Sequence, residues 1–349
     1  MTVSRPRAST KDADIAKLAP DSPSLSYARK RLTSSDTLLI FLVLVLLIVV
    51  FAVARPTQFA SIFNLRNIVT DGATLLVMAV GMTYVLIAGG IDLSIGSVLV
   101  FSGVVAAKVI VAIGGQDAGW ISITIGFVAG ILSGLAWGLI NGYLIARLRL
   151  PALIVTLGTL GAALGASQLL TNGVDVRGVP LRLTELGVGT IVGIPWLAIQ
   201  AAIITLVAGV VLRFTRFGQH TYAVGSNAEA VRRAGIDVER HLIKVYAIQG
   251  SLAGLAGLMS LARFSTTTIA GHSADNLNVI ASVVLGGTSL FGGSGSIFGT
   301  LVGVFIPTVL QNGFIIIGVQ SYWQSIAVGI VLIAAVYVDQ WRRGLRGRK

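Results

Sequence analysis

Apolar residues run along this chain in long blocks with short connections between them, from Thr37 to Val338. A block of roughly 17 to 25 predominantly apolar residues is long enough to cross a bilayer as a helix. The pattern predicts ten spans, near 37–54, 69–88, 95–113, 120–142, 151–170, 194–212, 243–261, 276–287, 296–312 and 322–338. The fold class expected is all-α, a polytopic transmembrane helix bundle of about ten spans with Gly-rich broken helices. Around a transmembrane domain at 36–340, residues 1–35 read as a disordered N-terminal tail and 341–349 as a basic tail, and 213–244 forms the longest polar connection inside it. Ala52-Val53-Ala54 has the form of a signal-peptidase site, but the run Leu38 to Val53 exceeds a signal core of about 7 to 15 residues and reads as an uncleaved helix.

Glycine marks where these helices pack and where they break. Gly126, Gly130, Gly134, Gly138 and Gly142 recur at every fourth position and make one smooth helix face that another helix can approach closely. Shorter series at Gly158, Gly161 and Gly165, and at Gly250, Gly254 and Gly257, carry the same expectation of tight packing inside the bundle. Gly89-Gly90 and Gly286-Gly287 each end an apolar run ahead of another Gly/Ser-rich segment, and tandem glycine breaks a helix. Interrupted helices at matching places in two halves point to a transport site.

Composition agrees with a chain whose main solvent is lipid: 54% hydrophobic and 11% charged residues, where a soluble domain carries about 25% charged. The net charge of +12 is not a nucleic-acid patch. Its basic residues cluster in both tails, at Arg147 and Arg149, and from Arg213 to Lys244, leaving Arg55, Arg66, Lys108, Arg177, Arg182 and Arg263 outside or at interfaces. That sorting follows the positive-inside rule and sets both termini in the cytoplasm, as in a multi-pass protein of a bacterial inner membrane, among membrane lipids. With no cysteine and three scattered histidines (His220, His241, His272), no metal or redox site and no cofactor is expected.

Enzyme activity is not expected, and no catalytic residue is assigned. There is no Gly-x-x-x-x-Gly-Lys-Ser/Thr phosphate loop, so any ATP must be handled by another chain. Asp92 follows the first Gly-Gly break and either caps the next helix with a side-chain oxygen or serves a proton relay. Without a His or Lys partner the cap is favoured. Asp71, near Arg66, reads as an interfacial ion pair. Asn141, Thr156, Thr159, Gln168, Asn172, Asn276 and Asn278 are the candidate lining of a path for a hydroxylated solute, against the alternative that they hydrogen-bond between helices. Trp120, Trp196, Tyr322 and Trp323 read as interfacial anchors.

Within the polar connection, Ala228-Glu229-Ala230-Val231-Arg232-Arg233-Ala234-Gly235 resembles the motif by which importer permeases seat a short helix in a groove of their ATPase. Glu229, Ala230, Gly235 and Val245 fall on its spacing, Arg232 and Arg233 add charge, Val231 replaces its second alanine, and its usual Leu-Pro ending is missing. The alternative is an ordinary solvated connection. More widely, Gly72 to Met82 running into Ala88-Gly89-Gly90-Ile91-Asp92-Leu93-Ser94-Ile95-Gly96-Ser97 is similar to the signature of the ribose/xylose-type permeases of ATP-binding-cassette sugar importers. So are Pro151 to Thr159, Ala223-Val224-Gly225-Ser226-Asn227 and Val283 to Gly293, in family order from about residue 65 to 339. The resemblance implies import of a pentose or hexose, a separate cytoplasmic ATPase, a periplasmic or lipid-anchored sugar-binding protein, and a dimer with a second copy or a close paralogue. One departure stands out: many members carry Glu-Leu-Asp where this chain has Asn276-Leu277-Asn278. An ion-coupled secondary transporter is the competing reading; the shortage of paired intramembrane charges stands against it.

Overall fold

The computed structural model describes residues 35–320 apart from 273, together with 323, 326, 329, 330, 333 and 337. The expected N-terminal and basic tails and most of the expected tenth span (322–338) lie outside the described residues. The chain divides into two compact units, Met1–Leu39 and Ile40–Lys349. Only residues 35–39 of the first are described, and the second holds the helix bundle.

In chain order the helices are α1 (Ser35–Ala54), α2 (Pro56–Phe59), α3 (Ile62–Ile87), α4 (Ile95–Gly114), α5 (Trp120–Ala146), α6 (Ala152–Thr171), α7 (Leu181–Val188), α8 (Trp196–Phe214), α9 (Arg216–Arg233), α10 (Val238–Phe264), α11 (Asp275–Leu285) and α12 (Ile297–Ile316). Among the described residues, strand is confined to one hairpin, β1 (Thr190–Ile191) against antiparallel β2 (Ile194–Pro195), on the α7–α8 connection. Among the described residues seven helices, α3, α4, α5, α6, α8, α10 and α12, are long and apolar enough to cross a membrane.

The helix-bundle class is as expected; the eighth expected span is not a span. α11 has 11 residues, about 16 Å of helix, or half of a hydrocarbon core about 30 Å thick. The polar connection also differs, because α9 and the start of α10 at Val238 make it almost wholly helical. α7 and the hairpin fill a stretch for which the apolar pattern predicts nothing.

Burial shows which helices are central. The apolar windows of α3 and α10 are 78% buried, against 17% for α8. α10 lies against α3, α4, α5, α7 and α9, and glycine sets its closest approach. A methyl group on Gly134 would meet the Gly250 carbonyl and the Gly254 backbone, and one on Gly138 would meet the Tyr246 carbonyl and Gly250. Gly257 lies equally close to the Leu99 carbonyl of α4. The fourth-span ridge therefore packs backbone on backbone, which trades side-chain volume for close van der Waals contact. The series on α6 behaves otherwise: nothing lies within 4 Å of a methyl group built on Gly158, Gly161 or Gly165. Among the described residues their expected packing inside the bundle is not found, and they lie on an open face. Between α3 and α12, Asn64 and Asn312 exchange amide hydrogen bonds of 3.0 and 2.8 Å.

Candidate translocation and coupling site

α3 ends at Ile87, Gly89 turns left-handed (φ 83°), and residues 90–94 continue without helix inside the bundle. Backbone without helical hydrogen bonds is tolerated at such depth only where protein groups satisfy it. The Ile91 carbonyl accepts from Tyr246 Oη (3.3 Å) and Thr156 Oγ1 (3.5 Å). Asp92, 3% exposed, accepts at Oδ1 from the Ser94 amide (2.8 Å) and hydroxyl (2.6 Å). Ser94 Oγ in turn accepts from Asn141 Nδ2 (2.9 Å). The helix-entrance role expected of Asp92 is thus divided. Asp92 fixes Ser94, the residue before α4, while the Gly96 amide in the first turn donates to Asn276 Oδ1 (2.6 Å) at the head of α11. No basic group pairs with Asp92 among the described residues, so the proton relay gains no partner.

The second break meets the first. After α11, Gly287 (φ 86°) ends the helix, and the following turn brings the Gly293 amide to the Ile87 carbonyl (2.9 Å). Gly225 of α9 is wedged between these two segments, since a methyl group on it would strike the Ile87 carbonyl and approach the Gly293 amide at 2.8 Å. Gly292 also lies against Gly225 and Gly89. Tyr222 Oη donates to the Gly295 carbonyl (2.8 Å). One backbone junction therefore joins α9 to the ends of two broken helices.

Beyond that junction Asn227 is extended (φ −162°, ψ 91°), and its Oδ1 accepts from the Ala230 amide (3.0 Å), starting a separate short helix. Val231 is buried with Val224 and Val238, which turns Glu229, Ala230, Arg232 and Arg233 outward. Glu229 pairs with Arg232 at 3.6 Å and Arg233 at 3.4 Å, and Gly235 (φ 81°) ends the helix. Asp237 then caps α10 (φ −74°, ψ 91°). The Arg240 amide donating to Asp237, with the Arg240 guanidinium beside it, holds that carboxyl below the usual carboxylate range. Glu239 receives Arg147 at 2.8 Å and Arg149 at 3.7 Å from the α5–α6 connection.

The candidate path residues do not fall on one surface. Asn141, Thr156, Thr159 and Asn276 are buried. Both threonines donate to carbonyls of their own helix, at Ala152 (2.8 Å) and Val155 (3.1 Å). Asn278 is half-buried, whereas Gln168 and Asn172 are exposed on α6 beside its open glycines, with Asn172 left-handed (φ 52°) at the helix end.

A family of transport proteins described as branched-chain amino acid transport system / permease component matches residues 64–336. The chain belongs to this permease family. The permease is 38% identical to the ribose import permease protein RbsC of Escherichia coli strain K12, over 85% of this chain and 91% of that protein. It is 36% identical to the L-arabinose ABC transporter permease protein AraH of Azospirillum brasilense, over 87% and 88%. The D-allose transport system permease protein AlsC of Escherichia coli strain K12 is 32% identical, over 86% and 90%. No solved structure matches the permease. The seven helices of spanning length among the described residues, with this membership, make it a multi-pass membrane protein.

Several polar features of the permease escape sequence reasoning. Gln249 is wholly buried on α10 against Gly81, and neither of its amide atoms has a hydrogen bond among the described residues; Asn141 Oδ1 has none either. Asp71 pairs with Arg263 rather than Arg66, whose Nε donates to the Gly193 carbonyl (3.0 Å). The histidines are not all isolated. His272 reaches Ser260 and Asp275, which its scattered place in the sequence does not suggest. Chain order hides such contacts.

Proposed function

We propose that this chain is the transmembrane subunit of an ATP-binding-cassette importer that carries a monosaccharide, a pentose or hexose, across the bacterial inner membrane. The observation that carries the reading is the match, at 32–38% identity over most of both chains, to permeases named for ribose, arabinose and allose. A separate cytoplasmic ATPase supplies the energy and a sugar-binding protein delivers the solute. Two copies, or this chain and a close paralogue, form the pathway, and both termini lie in the cytoplasm.

In this reading the ATPase seats against the outward face of Glu229, Ala230, Arg232 and Arg233, closed by Gly235. The contact of Gly225 with Ile87 and Gly293 supports coupling from that face to both breaks at Gly89-Gly90 and Gly286-Gly287. Exposed Gln168 and Asn172 on α6 meet passing sugar hydroxyls. Asn141, Thr156, Thr159, Asn276 and Asn278 shape the wall from within, with Asp92 holding the entrance of α4.

The test is uptake of a labelled pentose and hexose panel by cells carrying this chain with a matching ATPase and binding protein. Uptake is expected to survive a protonophore and to vanish with an ATPase-dead partner. The opposite pattern would assign the chain to ion-coupled transport.

A further inference from the structure

We propose that Ser260, His272 and Asp275 form a latch that positions the half-helix α11, and that its release and closure are steps of the transport cycle. The proposal rests on the importer reading above. Ser260 is buried one turn before the end of α10, and its Oγ lies 2.9 Å from His272 Nε2. His272 Nδ1 lies 2.7 Å from Oδ2 of Asp275, the first residue of α11. With the carboxylate accepting the Nδ1 hydrogen, Nε2 accepts the Ser260 hydroxyl, so one imidazole ties the head of α11 to α10. The order of contacts is that of a hydrolase triad. Here, however, the serine is buried within a helix, and the arrangement's role is mechanical.

The same turn is wedged on α4: a methyl group on Gly96 would lie 2.9 Å from the His272 carbonyl, and the Gly96 amide donates to Asn276. Two adjacent residues of α11 are thus gripped by side chain, Asp275 through His272 to α10 and Asn276 to α4. A cavity adjoins the grip, lined by Leu99, Val100, Gly257, Ser260, Thr268 and His272, and the buried Thr268 Oγ1 has no hydrogen bond among the described residues. The grip rests on side-chain hydrogen bonds, which can open and re-form without moving main chain, unlike the glycine contacts between α5 and α10. The far end of α11 leads into the Gly292-Gly293 turn that touches Gly225 and Ile87. α11 is a short rod with the latch at one end and the coupling junction at the other. Displacing the junction strains the latch.

The experiment uses the complete importer, permease with ATPase and binding protein, in proteoliposomes, with D-ribose, L-arabinose and D-allose as the sugar panel. His272→Ala is expected to raise ATP hydrolysis without binding protein several-fold and to lower the sugar moved per ATP. Ser260→Ala should do the same more weakly, while Asp275→Asn, which keeps an acceptor for Nδ1–H, stays close to the parent. Parental dependence on the binding protein in both His272→Ala and Ser260→Ala would overturn the latch. So would thermal midpoint and turnover falling together with sugar moved per ATP unchanged. Should His272→Ala fail to assemble, Ser260→Ala, which loses only one hydroxyl, decides. A parent complex whose hydrolysis ignores binding protein and sugar defeats the importer reading, and the latch with it.

Discussion

Replacing Gly134 with leucine drives a branched side chain into the backbone of Gly250 and Gly254, which have no side chains to move aside. Overpacking typically costs about 1–3 kcal/mol. Gly134→Leu is therefore expected to lower the thermal midpoint of the detergent-solubilised permease, and an unchanged midpoint would show that the ridge packs elsewhere. Gln249 predicts the opposite sign. A buried amide left unbonded costs about 1–3 kcal/mol, so Gln249→Met, close in volume and apolar, should raise the midpoint; a drop would reveal bonded partners for the amide. The two residues differ in how far the sequence exposed them. A glycine every fourth residue announces a helix face whatever lies opposite. A lone glutamine in an apolar helix looks the same paired or unpaired, and the grip of His272 on Ser260 depends on how the connection after α10 folds back.

α9 was legible as an element only in its second half, where Glu229, Ala230 and Gly235 keep a recognisable spacing; the helical first half carries no such pattern. With Val231 buried and Glu229 outward, Glu229→Arg changes only the exposed face. Membrane insertion should be unchanged and copurification of the ATPase should fall well below the parent's; equal copurification would remove this contact from the coupling surface. Gly225→Val tests the opposite face of the same element. Its side chain cannot coexist with the Ile87 carbonyl, so ATPase binding is expected to persist while uptake is lost, and normal uptake would show that the junction yields. The expected bounds of α11, 276–287, lie close to the observed Asp275–Leu285; what fails is its reading as a span, since a run that short falls below the roughly 17 residues a crossing helix needs. Gly286-Gly287 ends the helix there.

For the whole molecule, the class of fold was readable from the apolar blocks alone, since lipid leaves a spanning chain little choice but helix. The number of crossings was not, because a half-helix and a full one share a composition. Orientation is open to direct measurement, as the chain has no cysteine of its own. A single cysteine at exposed Arg177 should react with a membrane-impermeant maleimide added from outside, and one at exposed Ala234 only in inverted vesicles. The reverse pattern would turn the molecule over.

The junction of Gly89, Gly225, Gly292 and Gly293 is built from main chain, and main chain is common to every sequence that can form it. In the coupling proposed above, a displacement of α9 reaches both breaks chiefly through main-chain contacts, with Tyr222 Oη on the Gly295 carbonyl beside them, and none of these groups is assigned to the cargo. Cargo preference can then drift elsewhere in the protein without retuning the engine, and one motor design can serve relatives that move different cargoes.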